Sequence, residues 1–143
     1  MIIDFHTHIF PDTIAAKTIA KLASVANIAA STDGTINGLV ESMNRANVDI
    51  SVIQPVVTKP EQFETINQFA QSINEKYKGR LISFGGIHPD CEDYKHKLNQ
   101  IKESGFLGIK IHPDYQKVMI DDVRYMNIIE YADELDLIIL THS

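Results

Sequence analysis

Two histidines one residue apart, His6 and His8, follow a short apolar run in the opening MIIDFHTHIF. Along an extended chain such residues share a face, with roots about 6–7 Å apart. Imidazoles so placed can converge on one cation at roughly 2.0–2.1 Å per nitrogen. Other groups suited to chemistry recur in the same kind of place. GGIHPD brings His88, GIKIHPDY brings Lys110 and His112, and ILTHS brings His142, each ending an apolar run. A second run ends VIQP, with Gln54 where the others carry histidine. Of six histidines only His96 falls elsewhere, off the stripe of a helical pattern. An isolated His-x-His pair is more often incidental than functional. Lys110 and His142 on later strands turn the balance towards a metal site.

Each group also has an ordinary structural role. His88 and His112 precede proline, where imidazoles serve as hydrogen-bonding loop anchors. Lys110 can be an interior lysine paired with Asp4 or Asp114. Alternation along GIKIH sets Lys110 and His112 on one face and Ile109 with Ile111 on the other. With the isoleucines against helices, Lys110 and His112 point towards whatever His6 and His8 hold. Asp4 shares their parity one step deeper, where it can brace a lysine or a ligand. Asp90 and Asp114 are the weak candidates for a site carboxylate. Cys91 and Met119 read as packing residues, Arg45 and Arg80 as cations suited to helix ends.

These residues need elements to place them. Strand patterns fall at Ile2–Phe5, Ile50–Gln54, Leu81–Gly86, Leu107–Ile111 and Leu137–Thr141, each brief and apolar on both parities, as in covered parallel strands. Helical stripes lie between them. A helix starts at Pro11 and runs through Ile14, Thr18 and Leu22. Others follow Ile36/Leu39/Val40/Met43, Phe63/Ile66/Ala70/Ile73, Tyr94/Leu98/Ile101 and Val123/Met126/Ile129/Ala132. Thr58 with Glu61 suggests a capping box, and Gly105 a helix stop. Strands about thirty residues apart predict βαβ units in a single α/β domain over residues 1–143. An open doubly wound sheet and a (βα)8 barrel both fit. A barrel takes about 250 residues, so the 143 residues supply about its first five units.

Composition narrows the partners. The chain is 44% hydrophobic, enough for a core, and carries a formal net charge of -6. That charge disfavours nucleic acid, and the expected partner is a small-molecule substrate. No apolar run can span a bilayer, and no secretory leader is evident. The single cysteine fits a reduced, cytoplasmic setting.

DFHTHIFP, FGGIHPD, GIKIHPDYQ and LIILTHS together resemble the amidohydrolase superfamily over the whole chain, and within it the amidohydrolase family 2 group. That group includes metal-dependent hydrolases and non-oxidative decarboxylases related to aminocarboxymuconate-semialdehyde decarboxylase. The resemblance implies a (βα)8 barrel with a divalent metal, usually zinc, at its C-terminal mouth. It implies His6, His8 and His142 as metal ligands. Lys110 stands where binuclear members carry a carboxylated lysine, and with His112 it is a candidate for catalysis. The implied reaction is hydrolysis of an amide, ester or lactone by activated water, or decarboxylation.

The family pattern also has a histidine on strand six and an aspartate on strand eight, and Ser143 ends the chain before either. The chain is therefore expected to be an N-terminal half, weakly active or inactive alone. Its open strand edges predict a homo-oligomer. Two rivals stand beside this reading: a related metallo-barrel nuclease or phosphoesterase, and a non-catalytic metal-binding remnant.

Overall fold

The computed structural model describes residues 1–27 and 29–142, except the side chains at 25 and 26. Ser143 lies outside the described residues. The strands are β1 (Ile3–Thr7), β2 (Ile50–Ile53), β3 (Leu81–Ser83), β4 (Gly85–Gly86), β5 (Gly108–Ile111) and β6 (Ile138–Thr141). The helices are α1 (Asp12–Ala26), α2 (Ile36–Ala46), α3 (Phe63–Lys76), α4 (Tyr94–Glu103), α5 (Pro113–Gln116) and α6 (Val123–Glu134). All pairings are parallel, in the order β1-β2-β3 and β4-β5-β6. An open doubly wound sheet reverses its strand order at a switch point. Here, within each group of three, every strand pairs with the next in sequence, which is how a (βα)8 barrel is built.

The run expected as one strand from Leu81 to Gly86 is two strands interrupted at Phe84. Asparagines two turns apart on α3 account for the break. Asn74 accepts from the Ser83 N–H at 2.6 Å and donates to its carbonyl at 3.0 Å. Asn67 does the same for Gly86, at 2.9 Å in each direction. Side-chain amides here satisfy peptide groups that would otherwise need a strand partner.

Apolar faces of the helices close two cores over the sheet. One gathers Ile9, Met43, Ile53, Ile73 and Leu81. The larger one gathers Leu98, Ile101, Phe106, Ile109, Ile111, Tyr125 and Ile128. Helix α6 is turned from its expected face: Tyr125, Ile128 and Ala132 are buried, while Val123 is 67% and Met126 50% exposed. Its orientation follows the Tyr125 hydroxyl, which donates to the buried Gln116 at 2.5 Å. Met119, expected in the packing, is exposed. The capping box also shifts by one residue. Gln62, not Glu61, accepts from the Thr58 and Lys59 N–H groups and the Thr58 hydroxyl.

Coverage of the strands is uneven. All four residues of β5 are buried, as a strand sandwiched between two layers requires. β1 is exposed over Ile3–His6, so the covered faces expected from its apolar composition are not found there. β1 and β6 stand at the two ends of the strand order, with Ile3, Phe5 and Ile138 about half exposed.

Gly108 is fixed by close approach. A Cβ there would lie 2.2 Å from the Ile138 carbonyl oxygen and 2.7 Å from the Phe84 ring. The backbone oxygen belongs to the paired strand and cannot yield without parting β5 from β6. Gly108→Ala is expected to cost about 1–3 kcal/mol in urea unfolding. An unchanged midpoint would show that the two strands are not held this closely.

Candidate metal centre

β1 does not pair regularly to its end. Ile3 stands opposite Ile50 and Asp4 opposite Ser51, but the next pair is Thr7 with Ile53. Three steps on β1 thus face two on β2, which is a bulge. Gln54, just past β2, closes over it. Its side-chain amide donates to the Phe5 carbonyl, its N–H donates to the Thr7 carbonyl at 2.9 Å, and its own carbonyl accepts from His8 Nδ1 at 2.8 Å. Thr7 is buried and donates its hydroxyl to the Val52 carbonyl at 2.8 Å. The bulge also breaks the alternation that placed Asp4 beside the histidines. Asp4 instead accepts from the His6 N–H at 3.2 Å.

A carbonyl oxygen can only accept, so the contact with Gln54 places the proton of His8 on Nδ1 and leaves the lone pair on Nε2. Ligating histidines commonly have this arrangement, with the other ring nitrogen donating to a backbone carbonyl or a carboxylate. His8 Nε2 faces His6 Nε2 at 3.1 Å. Two nitrogens on one tetrahedral ion at 2.0–2.1 Å would be roughly 3.3 Å apart. Two facing lone pairs repel unless a proton or a cation lies between them. Loss of hydration, then the His6 charge, pushes the His8 pKa down to about 4. Burial followed by Lys110 and His142 lowers that of His6. Both rings are therefore neutral at neutral pH, as metal ligation requires.

His142 arrives from the end of β6, its ring centroid 5.9 Å from that of His6, against 5.0 Å between His6 and His8. Rings sharing a tetrahedral ion have centroids roughly 5 Å apart. The three predicted ligands are therefore brought to one rim. Among the described residues, no group of three or more His, Cys, Asp or Glu side chains is yet arranged to hold an ion. His112 joins by stacking instead, lying face to face with His142 and with Tyr115 at 4.1 Å each.

The remaining candidates separate clearly. Lys110 is 1% exposed, while Ile109 and Ile111 enter the helix-facing core, so the expected alternation holds. No ion pair joins Lys110 to Asp4, Asp114 or another carboxylate among the described residues. Burial lowers its pKa. His112 has a lowered pKa for the same reason, helped by His142 and Lys110, and its Nδ1 is buried without a partner among the described residues. His88 is a loop anchor, its Nδ1 accepting from the Asp90 N–H at 3.1 Å. The Asp90 carboxylate is engaged by Arg124, which also binds Asp122.

Gln116 was not anticipated. It is buried, and its amide donates to the carbonyls of Val57 and Ile87 at 2.7 Å each. Its oxygen accepts from the His112 N–H at 2.8 Å as well as from Tyr125. One side chain thus ties the loops after β2, β4 and β5 together beneath the rim.

A family model described as amidohydrolase matches residues 3–143. Among solved structures, the chain is similar to the IDCase of Metarhizium anisopliae in apo form, at 17% identity and a TM-score of 0.72, covering 99% of this chain and 50% of that one. It is similar to 5-carboxyvanillate decarboxylase of Novosphingobium aromaticivorans with bound manganese, at 16% identity and a TM-score of 0.74, covering 99% and 50%. A 5-carboxyvanillate decarboxylase of Sphingomonas paucimobilis matches at 11% identity and a TM-score of 0.70, covering 99% and 51%. The chain spans about half the length of these structures. No curated protein matches it.

Gln116→Leu strips four buried groups of their partner while nearly keeping the volume. Each orphaned polar group costs about 1–3 kcal/mol, so a loss of at least about 3 kcal/mol is expected in urea unfolding. A variant within about 1 kcal/mol of the parent would show that the loops are held by other means.

Proposed function

The chain belongs to the amidohydrolase family, and from that premise we propose that His6, His8 and His142 hold a divalent cation for hydrolysis or decarboxylation of a small molecule. The observation that carries this reading is His8, whose Nδ1 is committed to the Gln54 carbonyl while its Nε2 faces His6 Nε2 at 3.1 Å. The donor set is neutral imidazole, which suits zinc; manganese is the ion bound in one fold neighbour. When bound, such an ion acts as a Lewis acid towards a substrate oxygen and makes water acidic enough to furnish hydroxide near neutrality.

The chain's own groups supply the rest. Lys110 presents positive charge near the histidines, with no carboxylate paired to it among the described residues. His112 is a neutral base with Nδ1 unpartnered, stacked where its ring cannot turn freely. This composition favours a substrate that carries a carboxylate, and of the two chemistries it favours decarboxylation. Two of the fold neighbours are decarboxylases of an aromatic acid. A polyanion such as nucleic acid fits poorly with a net charge of -6. No helix among the described residues is long and apolar enough to cross a membrane. The half-exposed Ile3, Phe5 and Ile138 at the ends of the strand order support self-association.

Equilibrium dialysis against zinc and manganese tests the reading. One ion per chain is expected, released by a chelator. Loss of an outer partner typically weakens a site 10–100-fold, so His6→Ala and His8→Ala should each weaken it by more than about 100-fold. Binding that survives both substitutions would place the ion elsewhere.

A further inference from the structure

We propose that Gln54 is the positioning residue of this centre: by filling the bulge in β1 it turns His6 and His8 to the inner rim, and by its carbonyl it selects the ligand tautomer of His8. The inference rests on these two histidines being ligands, as proposed above.

The register shows what the bulge does. Asp4 faces Ser51, so an uninterrupted ladder would set His6, not Thr7, opposite Ile53. Residues paired across parallel strands share a face, and Ile53 is 2% exposed in the helix-facing core with Met43 and Ile73. A regular ladder would therefore turn His6 and His8 into that core and bring Thr7 to the rim. A shift of one residue reverses every side chain beyond it. The extra residue restores the histidines to the inner side and gives Thr7 the buried place.

A bulge leaves backbone groups without ladder partners, and Gln54 supplies them. The side-chain amide takes the Phe5 carbonyl, and the main-chain N–H resumes the regular ladder at the Thr7 carbonyl. The main-chain carbonyl then holds His8. Pro55 follows directly, which restricts Gln54 to extended backbone and so limits where that carbonyl can point. Gln54 is 4% exposed, and its Oε1 is buried with no partner among the described residues. A side chain chosen for stability alone would avoid that orphaned oxygen. Its amide nitrogen is the part the strand uses.

Gln54→Met keeps the reach and removes the donor. The direct readout needs no metal: long-range proton–nitrogen NMR of the imidazoles in the full chain. The parent protein is expected to show His8 protonated at Nδ1 alone, and Gln54→Met a mixture of tautomers. Cobalt(II) supplies a second readout, with affinity in Gln54→Met expected to fall about 10–100-fold and the absorption spectrum to change. If Gln54→Met does not fold, Gln54→Asn, whose amide falls one methylene short, is expected to show the same mixture. A parent His8 without a proton on Nδ1 overturns the inference. So does a folded variant with the parent's tautomer and cobalt spectrum. Should the parent bind no cobalt, the metal reading fails, while the tautomer comparison still decides the role of Gln54.

Discussion

Gln54 grips the end of β1 at three successive points, and the displacement it sustains there decides which way His6 and His8 face. Neither histidine is held by packing; both are exposed at the rim. Their direction comes from the buried threonine between them and from hydrogen bonds to a neighbouring strand. A rim built this way draws its geometry from backbone and leaves the Nε2 atoms of the two rings turned towards each other.

A second glutamine performs the matching task on the other side of the rim. Gln116 satisfies groups on three loops and on α6, and it fixes the main chain at His112. Lys110 is buried and makes no ion pair among the described residues. Burial lowers the pKa of His6, His8 and His112, and the Lys110 charge adds to it. The cluster is thus a set of neutral bases around a buried amine. The same low-dielectric setting makes each unpaired polar atom costly, which is why both clamps are themselves buried.

Much of this arrangement was legible in the sequence. Alternation in GIKIH correctly separated Lys110 from Ile109 and Ile111, because β5 is regular. The spacing of strands and helices led to parallel βαβ units, and sequential pairing in the structure then chose the barrel. Irregular backbone defeated the same reasoning elsewhere. The parity argument for Asp4 assumed an unbroken β1, and a bulge leaves no mark in a hydrophobic pattern. A strand breaks at Phe84 because Asn74 and Asn67, on a helix, take over the backbone groups of Ser83 and Gly86 on either side of it. Met126 and Val123 were assigned to the core by period alone, whereas Tyr125 fixes α6 through its hydroxyl. Glutamine attracts no attention in a search for ligands, although Gln54 at a strand end before proline was a visible anomaly.

X-ray absorption of the zinc-loaded chain shows whether separate parts of the chain deliver imidazoles to one ion. A first shell containing imidazole nitrogens at roughly 2.0–2.1 Å is expected, with the outer-ring scattering of at least two histidines. A shell of oxygen alone, or a spectrum unchanged by replacing both His6 and His8, would contradict it.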